Sequence, residues 1–89
     1  MYLHLGSSVV IRQRDVLGIF DLDNTTWSRI TREFLTRAEQ AGQVVTVGDD
    51  LPKSFTLCQN ARGGVTVYLS QLSSATLLKR AESGSFETV

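Results

Sequence analysis

Histidine and cysteine each occur once in this 89-residue chain, and each scarcity removes a class of function. With Cys58 as the one cysteine, no disulfide framework or zinc cluster forms within the chain. His4 has no second histidine or cysteine to join it, so it does not make a typical metal site. A Ser-His-Asp set is excluded for want of histidines, and no glycine-rich phosphate loop is present. An excess of one charge is also missing. Nine acids balance nine bases, for a formal net charge of +0. Bulk electrostatics therefore announces neither a nucleic acid nor a membrane. No apolar run approaches the ~18 residues of a membrane span. There is no signal-peptide pattern, no repeat and no low-complexity segment, so the chain reads as cytosolic.

What is present describes one small domain. The hydrophobic share, 42%, is ordinary for a folded protein. A chain this short buries only about 60–65% of its unfolded surface, so it is marginal alone and gains from partner subunits. Seven of the nine bases are arginine, which suits bidentate contacts to phosphate or carboxylate better than lysine does.

The pattern along the chain is β-β-β-α-β-β-β-α. Tyr2 to Leu5 and Val9 to Ile11 flank the turn Gly6-Ser7-Ser8, which suggests a hairpin. Val16 to Phe20 is apolar enough for a strand buried on both faces. Asp23, Asn24 and Thr25 are N-cap types, and a helix is expected from Thr26 to about Ala41. Its apolar positions are Trp27, Ile30, Phe34, Leu35, Ala38 and Ala41, a helical period. Arg29, Glu33 and Arg37 would form a solvated ladder opposite, and Gly42 would stop the helix. Short strands follow at Val44 to Val47, Ser54 to Gln59 and Val65 to Ser70, the last with one wet face. Pro52 marks a loop, and Asn60 to Gly64 marks a hairpin turn. Ser73 or Ser74 caps a second, shorter helix that runs to Arg80 or Ala81. The expected fold class is α+β. It has one small, mostly antiparallel sheet with both helices on one face, and the other face is free to meet a subunit. Residues 1–81 form the domain and 82–89 a mobile tail.

Asp21-Leu22-Asp23 after an apolar strand resembles the first motif of haloacid-dehalogenase-like phosphatases. That chemistry takes the first carboxylate as nucleophile, the second as acid, and a magnesium ion on the phosphate. Gly48-Asp49-Asp50 resembles the acidic metal motif of the same family, with Lys53 nearby. The context is missing, however. Those enzymes need a doubly wound parallel sheet, and their lysine lies between the acidic motifs, whereas Lys53 follows both. A strand exit and a helix N-cap explain the same two aspartates, because negative charge is favoured there. His4 reads as a half-buried strand residue and Cys58 as a buried one. We expect no catalytic residue, no metal site, no cofactor and no small-molecule substrate. For nucleic acid, the candidate phosphate contacts are Arg14, Arg29, Lys53 and Arg62, with Arg12 and Arg32 as further candidates.

The segments Leu3-His4-Leu5-Gly6, Val9-Val10-Ile11, Ile19-Phe20-Asp21-Leu22-Asp23, Thr31-Arg32-Glu33-Phe34-Leu35, Asp49 to Phe55, and Tyr68-Leu69-Ser70 with Ser74 to Arg80 resemble the RemB branch of the RemA/RemB family. These are bacterial extracellular-matrix regulators. The resemblance covers roughly residues 1–81. It implies a non-enzymatic regulator of biofilm-matrix genes, a ring-like homo-oligomer that contacts double-stranded DNA through arginines, with no membrane partner. The family's first arginine position falls at Asp15, beside Arg14. Its arginine pair falls at Leu51 and Pro52, beside Lys53. Arg29 matches a basic position of the RemA branch. The alternative the resemblance leaves is an oligomeric adaptor that acts through another protein without touching DNA.

Overall fold

The computed structural model describes residues 1–22 and 29–82. The elements are β1 (Tyr2–Gly6), β2 (Val9–Arg12), a 3-10 turn (Gln13–Asp15), β3 (Val16–Asp21), α1 (Arg29–Gln40), β4 (Val44–Thr46), β5 (Ser54–Gln59), β6 (Val65–Ser70) and α2 (Ser74–Glu82). The strand and helix order is the one expected, and the class is α+β. The expected caps Asp23, Asn24 and Thr25, together with Thr26 and Trp27, lie outside the described residues. So does the tail from residue 83 on. Glu82, assigned to the tail from sequence, closes α2 instead.

β1 and β2 form an antiparallel hairpin, with Leu3 opposite Ile11. Ser7 and Ser8 both hold positive φ, 45° and 68°, as the tight turn between twisted strands requires. The other strands form a second sheet in the order β3-β5-β6-β4. Its pairings are antiparallel except β4 with β6. By this register β3 and β4 run the same way, so α1 is a crossover that returns the chain over the two central strands. At 1.5 Å per residue α1 is about 18 Å long, close to the length of the strands it covers. It stops where Gly42 takes φ 73°. There Gln43 N–H donates to Ala38 C=O at 2.9 Å and Gly42 N–H to Glu39 C=O at 3.1 Å, the paired bonds of a Schellman end.

The expectation of one sheet with both helices on one face is corrected. α1 covers one face, where Phe34, Leu35 and Ala38 pack on Phe55, Val67 and Leu69. α2 and the hairpin cover the other, where Leu3, Leu5, Ile11 and Leu77 pack with Val47 and Cys58. β5 and β6 are therefore central and covered on both sides. That is why β6 has no wet face. Its small polar residue Ser70 is fully buried, and its hydroxyl donates to Leu5 C=O at 2.8 Å. Ser54 solves the same problem by donating to Leu72 C=O at 2.7 Å.

β3 is an edge strand, not one buried on both faces. Leu17 and Phe20 stay 56% and 45% exposed. Phe20 stacks on Phe55 with ring centroids 4.7 Å apart. Gly18 makes room for that ring, since a Cβ there would lie within 3 Å of it. Ile30, counted from its period on the core side of α1, is 78% exposed. It lies about 80° around the helix from Ala38, which faces the sheet, and so sits on a flank of α1.

Candidate nucleic-acid interface

The register sorts the candidate basic residues to opposite ends of the larger sheet. Val16 pairs with Cys58. Arg14, just before β3, therefore lies at the same end as Arg62 in the turn between β5 and β6. The turn is fixed by Asn60, whose side-chain oxygen accepts from Arg62 N–H and Gly64 N–H, each at 3.0 Å. Both arginines are exposed. Lys53 lies at the far end of β5, where its carbonyl accepts from Leu22 N–H at 2.8 Å. Arg29 opens α1 on that side, because α1 follows β3 and ends where β4 begins. Six residues of β5 span about 20 Å. One subunit thus offers two separated pairs of bases, not a single patch.

Two of the candidate arginines, Arg12 and Arg29, are occupied by acids. Arg12 Nε meets Asp15 Oδ2 at 3.0 Å, and Arg29 Nε meets Glu33 Oε1 at 3.0 Å. The second pair is the expected first rung of the α1 ladder. These pairs are exposed, so they are screened, and phosphate can compete for the arginines. Arg32 and Arg37 lie with Arg29, Glu33 and Thr36 around one shallow hollow on the outer surface of α1. Two of the candidates, Arg29 and Arg32, thus share this hollow with Arg37, which the sequence placed only in the ladder.

The loop after β4 occupies the position where the resemblance places an arginine pair. Gly48 turns it at φ 88°. With its amide assigned so that the oxygen faces the loop, the Gln71 side chain accepts from Asp49 N–H at 2.6 Å and Asp50 N–H at 2.5 Å. A Cβ on Gly48 would come within 3 Å of that amide, so only glycine lets Gln71 approach. This anchor is invisible to sequence spacing, because Gln71 lies beyond two intervening strands. Beyond the anchor, Leu51 is 86% exposed.

Leu51 and Pro52 form one wall of an apolar groove of about 590 Å³ beside α1. Leu22, Leu35, Val44 and Leu69 complete it, and Glu39 and Lys53 are its charged members. The sequence carried one signal of it, an apolar Leu-Pro step inside an otherwise acidic loop.

The remaining chemical candidates stand apart. Asp21 is exposed at the end of β3, and Asp23 lies outside the described residues. Among the described residues no three His, Cys, Asp or Glu side chains gather as a metal site would require. His4 is exposed on β1, and its carbonyl accepts from Arg80 Nη1 at 3.2 Å. Cys58 is buried, and burial, aided by the Asp15 charge, pushes its thiol up to about 11. The thiolate, the reactive form, is thereby suppressed. Burial likewise raises the Tyr68 hydroxyl, with smaller contributions from Cys58 and Asp15. No helix among the described residues is long and apolar enough to cross a membrane.

No protein-family model matches the sequence. The chain is 42% identical over 83 residues to extracellular matrix regulatory protein B of Bacillus subtilis (strain 168). The match spans 92% of this chain and 91% of that relative. The chain belongs to the RemA/RemB family of extracellular matrix regulatory proteins.

Proposed function

We propose that this family member regulates extracellular-matrix production without catalysing a reaction, as a ring-like homo-oligomer that contacts duplex DNA. Its 42% identity, over 92% of the chain, to a protein named as a matrix regulator carries the regulatory part. The distribution of bases supports the oligomer. Arg14 and Arg62 at one end of the sheet, and Arg29 and Lys53 at the other, make two small, separated sites on a subunit of no net charge. Repeated around a ring, the same few contacts add, and each neutralised phosphate releases counterions. The exposed apolar residues Leu17, Phe20, Ile30 and Leu51 are further surface that assembly would cover.

A second reading is an oligomeric adaptor that acts through a protein partner. The loop at Asp49–Pro52 favours it. The family's arginine pair is replaced there by Leu51 and Pro52, next to two acids whose backbone Gln71 holds. DNA binding measured across salt separates the two readings. A contact through phosphates weakens linearly in the logarithm of salt. An adaptor gives no binding even in low salt.

A further inference from the structure

Helix α1 has apolar side chains on both flanks, and the fold uses only one of them. Leu35 and Glu39 face the groove that Leu51 and Pro52 close. Ile30 precedes Glu39 by nine positions, about two and a half turns, so it points to the opposite flank. There it is 78% exposed. Arg37 follows Ile30 by seven positions, falls within about 20° of it around the helix, and is also exposed. One flank therefore presents an apolar side chain with a cation. The other presents an apolar groove whose lining carries the Glu39 carboxylate and the Lys53 ammonium.

We propose that the groove of one copy receives Ile30 of a second copy, with Arg37 of that copy facing Glu39. This rests on the homo-oligomer reading above and names its contact. The two halves match in hydrophobicity, and Arg37 is opposite in charge to Glu39; Glu33 beside Arg37 and Lys53 in the groove are the other charged groups of the two surfaces. The two halves lie on opposite sides of the same helix, so they cannot meet within one chain. Because the two surfaces differ, each copy donates one and accepts with the other. Such a head-to-tail contact propagates until it closes a ring. Both Ile30 and Leu51 are already in water in the single chain, so altering them leaves the core intact.

Light scattering on wild type, Ile30→Asp, Leu51→Asp and an equal mixture of the two variants tests the contact. Each variant alone falls to the monomer mass, whereas the wild type is larger. The mixture gives twice the monomer mass and nothing greater. The Leu51→Asp copy still carries Ile30, the Ile30→Asp copy still carries a groove, and one intact contact forms. Arg37→Glu and Glu39→Arg each reduce the assembled mass, and the two combined in one chain restore it. Variants that keep the wild-type mass, or a mixture that stays monomeric, overturn the proposal while leaving an oligomer formed elsewhere. A wild type that is itself monomeric removes the homo-oligomer reading, and this contact with it.

Discussion

The hydroxyl of Ser70 donates to the carbonyl of Leu5 at 2.8 Å, and both residues are fully buried. This bond ties the hairpin to a central strand of the larger sheet. The same oxygen accepts from Leu72 N–H at 3.1 Å where the chain leaves β6. Ser70→Ala removes the donor for a buried carbonyl and the acceptor for a backbone N–H. The expected loss of stability is about 1–3 kcal/mol. Urea unfolding reads it as a lower midpoint at unchanged slope. An unchanged midpoint would show that the hairpin is not held this way.

The same bond marks where sequence patterning fell short. Thr66, Tyr68 and Ser70 alternate with Val65, Val67 and Leu69, which reads as a strand wet on one side. The alternation locates the faces correctly but does not say what covers them. Ser70 is polar and buried because a carbonyl 65 positions earlier satisfies it, and no local pattern encodes that distance. Ile30 fell to a related limit. Its helical period puts it near the core stripe, yet it lies about 80° around the helix from buried Ala38, on a flank that nothing in the sheet covers. Local signals fared better. Gly42 at the end of α1, the Asn60–Gly64 turn and the Ser73 cap of α2, whose hydroxyl accepts from Thr76 N–H at 3.1 Å, all lie where the residues place them. Of the candidate interface, the individual bases were legible. Their division between two ends of the sheet follows from strand order, which the sequence does not print.

Gly48→Ala should disturb the acidic loop more than a typical surface change does. It forces a side chain onto φ 88° and into the Gln71 amide. A destabilisation of about 1 kcal/mol or more is expected, since the backbone conformation itself becomes strained. Hydrogen exchange at Asp49 and Asp50 should quicken in Gly48→Ala and in Gln71→Ala alike. Unaltered protection of both amides would contradict the anchor.

Cys58 should resist thiol reagents at neutral pH until the chain unfolds. Its folded value, about 11, lies above the ordinary 9.0. Below about 9 the thiol is neutral in both states and its contribution to stability is complete. As pH rises toward 11 the unfolded chain ionises first, and stability is lost. Tyr68, also raised, acts in the same direction. Denaturant midpoints measured between pH 8 and pH 11 should therefore fall, and Cys58→Ala should fall less steeply across that window, from a lower start. Rapid labelling of the native protein at pH 7 would contradict the burial.

Arg14→Ala and Arg62→Ala, which remove bases from one end of the sheet, should weaken DNA binding without altering the fold. Each phosphate that no longer meets a base lowers the salt slope by about 0.9 per site. Arg29→Ala tests the other end, where Glu33 competes for the same guanidinium at 3.0 Å. Comparison of the slopes shows which end faces the duplex. Equal slopes for all three variants and the wild type would place the DNA-facing surface elsewhere.

The most direct measurement is binding of the purified wild-type protein to duplex DNA across a salt titration, with its mass recorded by light scattering in the same buffers. The expected outcome is an assembly larger than the monomer whose affinity falls steeply and linearly in log–log form between low and physiological salt. A protein that leaves DNA unbound even in low salt would contradict the DNA-contacting regulator and leave the adaptor in its place.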